Sequence, residues 1–193
     1  MRIFVIGAEG SGKSTAARFL GIAMGLPVTE TGQEVTKELA RFLMNATDAV
    51  QDVGQVDASI HDAKEHLRKT LHYMGDLMTG LNPTVLVDRC ISPYQPGIVV
   101  GMRRLREVNG LFDRHITFCS GAIWVRIVRP GVVDRTFELN DSPCNFEVQN
   151  DGSLKTLKLR MERVAQKIKT GKRVVRTETV RPKLTIVPKH NLN

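Results

Sequence analysis

The sequence predicts an α/β fold, with a mostly parallel sheet of five strands between helical layers, and three observations predict it. Ile3-Phe4-Val5-Ile6, Thr84-Val85-Leu86-Val87 and Ala122 to Val128 are short apolar runs without polar alternation, as in strands buried on both faces. Between them lie segments whose apolar residues recur at three-to-four spacing, the mark of helices with one buried stripe. The two patterns alternate along the chain, which gives a parallel sheet with right-handed crossovers. A chain of 193 residues is long enough for one such core and needs no second.

The first strand runs directly into Gly7-Ala8-Glu9-Gly10-Ser11-Gly12-Lys13-Ser14-Thr15, and a helix carrying Ala16-Ala17, Phe19-Leu20 and Ala23-Met24 follows. Gly25-Leu26-Pro27 stops that helix, and Val28-Thr29 reads as a short second strand. Gln33 to Asn45 places Val35, Leu39, Phe42 and Leu43 on one helical face. A longer helix is expected from about Ser59 to Met78, striped by Ile60, Ala63, Leu67, Leu71, Met74 and Met78. Asn82-Pro83 closes it, residues 84 to 87 are the expected third strand, and Asp88-Arg89 then fall at that strand's carboxyl end.

Pro93 and Pro96-Gly97 punctuate an expected loop, with a short helix over Val99 to Val108. The strand at 122 to 128 ends in Arg129-Pro130-Gly131, and residues 131 to 144 have the polar, irregular composition of a flap. Asn145 to Gln149 reads as the last core strand, closed by Asn150-Asp151-Gly152. Ser153 is the expected N-cap of a helix striped by Leu154, Leu157, Met161, Val164 and Ile168, with Gly171 as its stop.

Net charge is +8, and it is unevenly placed. From Asp151 onward twelve Lys or Arg stand against three acids, so this segment holds the excess and the rest is near neutral. A solvated helix face and attraction for polyanionic nucleotides account for it; nucleic-acid contact is the second reading, and the segment lacks the aromatic platform of single-strand binders. No apolar stretch reaches the ~20 residues of a membrane helix. The first residues already read as strand, so a secretory signal is not expected. Cys90, Cys119 and Cys144 show neither zinc nor disulfide spacing, as in a reduced cytoplasmic protein. A homodimer is left open.

The glycine-rich segment at 7 to 14 has every specifying residue of a phosphate-binding P-loop, and it sits between a strand and a helix N-terminus. Amides there lack intrahelical partners and the helix dipole adds positive charge, so ATP or GTP is the natural ligand. Gly7, Gly10 and Gly12 let backbone wrap the phosphates, Lys13 reaches the β and γ phosphates, and the Ser14 hydroxyl ligates Mg²⁺. Asp88, at a strand end, can hold Mg²⁺ or take a proton, and Arg89 can fork onto a phosphate. Arg129 and Arg135 flank the flap, where closure would bring them onto the transferred group. Glu30, Gln33 and Arg41 occupy the expected acceptor region. His61, His66, His72 and His115 show no metal or catalytic spacing.

On these residues the chain resembles the P-loop small-molecule kinases, which include nucleoside monophosphate kinases and dephospho-coenzyme A kinase. Val85-Leu86-Val87-Asp88-Arg89 followed by Ser92-Pro93-Tyr94-Gln95 is similar to the Asp-Arg strand end of thymidylate-kinase-like enzymes, although Cys90 replaces their aromatic residue. Phe146 to Leu154 resembles the late strand, turn and helix of dephospho-coenzyme A kinase and of bacteriophage deoxynucleoside monophosphate kinases, and Val125 to Gly131 resembles the strand before the lid in the phage enzymes.

The resemblance implies a three-layer P-loop NTPase fold over residues 1–170, a lid at about 129–144, a helical acceptor-binding region and a basic C-terminal extension at 171–193. It implies ATP with Mg²⁺ as donor and a (deoxy)nucleoside monophosphate as acceptor, giving the diphosphate. Donor contacts fall on Gly7 to Thr15 and on Asn150, Asp151 and Gly152; acceptor contacts fall on Arg89, Ser92, Tyr94 and Gln95. Lys13, Asp88, Arg89, Arg129 and Arg135 become the catalytic set, and Ser14 and Asp88 the metal pair. Another small metabolite such as dephospho-coenzyme A is the alternative acceptor, and an ATP-binding nucleic-acid partner the alternative class.

Overall fold

Two different apolar faces explain why the first strand shows no polar alternation. In the computed structural model, which describes residues 1–47, 53–63, 65–90, 95–114, 121–134, 137–140, 142 and 144–171, β1 (Arg2–Ile6) is the centre of the sheet. Ile3 and Val5 enter one core cluster and Phe4 and Ile6 another, all fully buried. The other strands are β2 (Val28–Glu30), β3 (Gly97–Val100), β4 (Ile123–Val128) and β5 (Phe146–Gln149). Their order is β2-β3-β1-β4-β5, and every pairing is parallel.

One face is covered by α1 (Lys13–Met24) and by α7 (Leu154–Lys169), whose Leu157, Met161, Val164 and Ala165 pack against Ala16, Ala17 and Leu20. Gly25 ends α1 in the left-handed region (φ 70°). Ser153 caps α7 as expected, its Oγ accepting from Thr156 N at 3.2 Å. The other face receives α6 (Leu105–Arg114), through Val108 and Leu111, beside Trp124, whose ring stacks on Phe4 at 4.5 Å. Phe137 and Leu139, inside the expected flap, are buried in this same core. A third cluster joins α2 (Thr31–Thr47), α3 (Val53–Asp62), α4 (Arg68–Leu81) and α5 (Val85–Cys90). No described helix is long and apolar enough to cross a membrane.

Three expected elements are corrected. The strand at 84 to 87 is the short helix α5: Asn82 Oδ1 accepts from Thr84 N at 3.3 Å, and Asp88 N closes a helical turn onto Thr84 O at 2.8 Å. The third member of the sheet is β3, in the segment expected as loop, and the helix expected over Val99 to Val108 begins only at Leu105. The helix expected from Ser59 to Met78 is two helices, because Ala63 and Glu65 to Leu67 lie in turns between them. Its apolar stripe survives the break, since Ile60, Leu67, Leu71, Met74 and Met78 pack in one cluster. Ser92, Tyr94, Arg135, His115, Cys119 and the basic tail from 172 lie outside the described residues.

Candidate functional site

β1 has β3 on one side and β4 on the other, so the P-loop leaves the sheet where the strand order reverses, the place at which ligands settle in open α/β sheets. Gly10 (φ 77°) and Gly12 (φ 85°) are left-handed, a conformation that side chains with a Cβ rarely adopt. Ser11 N donates to Ala8 O at 3.1 Å to close the turn. Gly7 is also sterically required, because a Cβ there would stand 2.6 Å from Ile127 O.

The loop is braced from the far side of β4. Asn150 N donates to Val128 O at 2.7 Å, and its side-chain Nδ2 donates to Ser11 O at 2.8 Å. A Cβ on Gly12 would run into that same amide. Asn150 thus holds a loop carbonyl on one side of the chain, which turns neighbouring amides to the other. Asp151 is exposed and paired with Arg160, whose hydrogen bond holds the carboxyl below its ordinary range. Arg129 reaches the loop rim, with Nη1 3.4 Å from Gly10 O. Asn150→Ala is expected to cost about 1 kcal/mol of stability and to weaken ATP binding less than loss of Lys13 does. Thermal unfolding and ATP titration check this, and unchanged ATP affinity would show that the loop keeps its shape without the brace.

Nucleotide and metal fit this cradle. Helix α1 starts without a side-chain cap, and the Ser11 hydroxyl is buried with no hydrogen-bond partner, so the loop's own polar groups are left for an anion. Lys13 Nζ lies over the loop, 3.2 Å from Ala8 O. Ser14 Oγ donates to Glu30 Oε2 at 3.1 Å, placing a hydroxyl and a carboxylate together at the carboxyl end of β2. Among the described residues no group of three or more His, Cys, Asp or Glu could hold a metal unaided. One or two protein oxygens beside phosphates and waters is the usual Mg²⁺ donor set, and Ser14 with Glu30 would supply it.

Beside the loop opens a cavity of about 200 Å³, lined by Glu9, Lys13 and Ser14 from the loop side. Its remaining walls come from Glu30, Thr31, Gly32 and Val35, from α4, from Leu86 of α5 and from the chain after β3. Arg103 is the central cation. Its Nη2 donates to Asp134 Oδ2 at 2.6 Å and lies 3.6 Å from Glu9 Oε2, while Nη1 stands 3.0 Å from His72 Nε2. Arg68 pairs with Glu9 from the other side. Burial, then the Arg103 charge, lower the His72 pKa, so the imidazole is neutral near pH 7 and its Nε2 accepts from Arg103.

Glu107 holds the backbone that carries this guanidinium. It is 3% exposed, and its Oε2 accepts from the N–H groups of both Arg103 and Arg104 at 2.8 Å, the return half of a capping box at the start of α6. Burial raises the Glu107 pKa, against those two N–H groups. Further along the wall Arg104 forks onto Asp76 at 2.9 and 2.7 Å, and the apolar side is made by Val35, Leu71 and Leu86.

Of the residues expected from sequence, Glu9, Lys13, Ser14 and Glu30 meet at this cavity. Asp88 and Arg89 do not, because they ride on α5 rather than on a strand end. Asp88 is exposed and accepts from Thr84 Oγ1 at 2.7 Å, and Arg89 joins Arg41 on Glu38, at 2.7 and 3.1 Å. The Arg89 hydrogen bond is the main cause that holds Glu38 below its ordinary range. Gln33 and Gln95 are exposed and line no part of the cavity. Glu30, not Asp88, is the carboxylate that stands beside Ser14. Arg68, His72, Arg103 and Glu107 were not singled out for this site, and Arg103 is the one with a signal: it follows the true neighbour of β1.

No protein-family model matches the chain. Among solved structures the chain is similar to shikimate kinase from Aquifex aeolicus, with a TM-score of 0.43, 15% identity and coverage of 89% of this chain and 99% of that one. It is also similar to a sugar kinase from Janibacter sp., with a TM-score of 0.40, 15% identity and coverage of 82% of this chain and 90% of that one. At this level of identity the chemistry of the site is carried by the chain's own residues.

Proposed function

We propose that the protein is an ATP-dependent kinase whose acceptor is a (deoxy)nucleoside monophosphate, giving the diphosphate. The observation that supports this acceptor is the engagement of every carboxylate lining the cavity. Glu9 faces Arg68 and Arg103, Glu30 accepts from Ser14, Asp76 is forked by Arg104, and Glu107 is tied to two backbone amides. A hydroxyl acceptor needs a base, and each of these groups would first have to release its donors. A phosphate monoester needs none, since its second ionisation lies near pH 6 and the dianion is already the nucleophile.

The parts then divide plainly. Loop amides and Lys13 hold the donor phosphates, and Ser14 with Glu30 would hold Mg²⁺, which when bound neutralises charge on them. Arg103 and Arg68 fork onto the acceptor phosphate beside the loop, and Val35, Leu71 and Leu86 offer an apolar wall to sugar and base. Neutral His72 orients Arg103 without competing for the anion.

The test is a panel of ribo- and deoxynucleoside monophosphates with dephospho-coenzyme A and simple hydroxyl acceptors, each with ATP and Mg²⁺, read by ADP release and product chromatography. At least one monophosphate is expected to give its diphosphate. Turnover confined to hydroxyl acceptors would overturn the assignment.

A further inference from the structure

Asp134 lies on the segment after β4, and its side chain is only 8% exposed. Its Oδ2 accepts from two donors at once, the backbone N–H of Glu9 at 2.9 Å and Arg103 Nη2 at 2.6 Å. One donor is a P-loop amide and the other the guanidinium on the cavity wall. A phosphate oxygen reaching this end of the loop would meet the same pair, because both are cationic or dipolar donors converging on one point. The carboxylate is held there rather than hanging loose. Phe137 N donates to Asp134 O at 3.2 Å, and Phe137 and Leu139 are anchored in the core. On the other side the chain turns at Gly131 (φ 76°), with Val132 N on Arg129 O.

We propose that Asp134 is a resident stand-in for a substrate phosphate oxygen, and that it sets the class of ligand the site accepts. This rests on the reading of the loop and cavity as a phosphoryl-transfer site. A ligand must bring its own anion to take the Glu9 amide and Arg103 away from Asp134. A neutral polyol has nothing to exchange and leaves the contact closed. Apparent affinity for anions is reduced by the fraction of molecules in which Asp134 holds both donors. Glu9 also faces Arg103, but at 3.6 Å, so it replaces Asp134 poorly.

Isothermal titration of the full chain with inorganic pyrophosphate, and separately with ATP and Mg²⁺, tests this in wild type and Asp134→Asn. Asparagine keeps the volume and offers only a neutral oxygen, so both anions are expected to bind about tenfold more tightly. Glu138→Gln is the control: it removes the same charge from the same segment, where the Glu138 side chain contacts Arg104 and the Leu105 amide instead. It is expected to change affinity less than about twofold. Equal gains in the two variants, or no gain in Asp134→Asn, overturn the proposal. Asp134→Ser takes over if Asp134→Asn does not fold. A wild-type chain that binds neither anion removes the proposed function as well, whereas normal wild-type binding with no gain in the variant removes this inference alone.

Discussion

Lys13→Ala is expected to lower kcat by about 10²–10³-fold, the usual cost of deleting one donor aimed at charge that develops in the transition state. The fold should hardly register the change. The turn is shaped by Gly10 and Gly12 in left-handed conformations and by the Ser11 to Ala8 hydrogen bond, none of which involves the lysine side chain. Lys13 is half-buried, with Nζ 3.2 Å from Ala8 O, so its ammonium already lies over the loop. Single-turnover rates at saturating ATP, beside a thermal unfolding curve, separate the two effects. A variant with full activity would show that loop amides and Mg²⁺ suffice for the donor charge.

The loop side of the candidate site is legible because its residues are consecutive. Strand, glycine turn and helix start occupy residues 2 to 14, and each leaves a local mark: an apolar run, permissive glycines, then three-to-four spacing. The same holds for Ser153 and the stripe of α7, where a cap and a period suffice.

The exchange of α5 for β3 shows where local marks fail. Val85-Leu86-Val87 and Ile98-Val99-Val100 are nearly the same word, and short apolar runs do not tell strand from buried helix. What separates them is what surrounds each. Asn82 and Thr84 start a helical turn over the first, and β1 offers pairing partners to the second, with Ile3 opposite Ile98 and Phe4 opposite Val99. Sheet pairing is non-local, so propensity could not report it. Pro93 and Pro96 read as loop punctuation in the sequence, and Pro96 sits just before the strand, where a proline removes no ladder hydrogen bond.

Placing that strand at 84 to 87 also displaces the wall of the cavity opposite the loop. Asp88 and Arg89 inherited a sheet-edge position that belongs to the chain after β3, where Gly101 approaches Thr31 so closely that a Cβ would collide with its hydroxyl. Arg103 stands two residues beyond that contact. Its partners come from 9, 72 and 134, and no spacing in one segment announces a cluster assembled from four.

Arg103→Ala is the sharpest test of that cluster, and kcat/KM for the acceptor is expected to fall about 10²–10³-fold. The guanidinium meets the loop side of the cavity at Glu9 and Asp134, and under the proposed function its loss falls on the acceptor phosphate and the transferred group. Stability should also fall, by about 1–3 kcal/mol, because Asp134 is 8% exposed and loses its charged donor. Arg103→Lys keeps a charge but only one point of contact. It should recover stability more fully than kcat/KM, since two separate directions, toward Asp134 and toward His72, are served by different nitrogens of the planar fork. Steady-state kinetics at fixed saturating ATP, with thermal unfolding of both variants, gives the split. If lysine restores kcat/KM in full, a point charge is enough and the forked geometry assigned to Arg103 is wrong; if alanine leaves kcat/KM unaltered, the acceptor phosphate binds elsewhere.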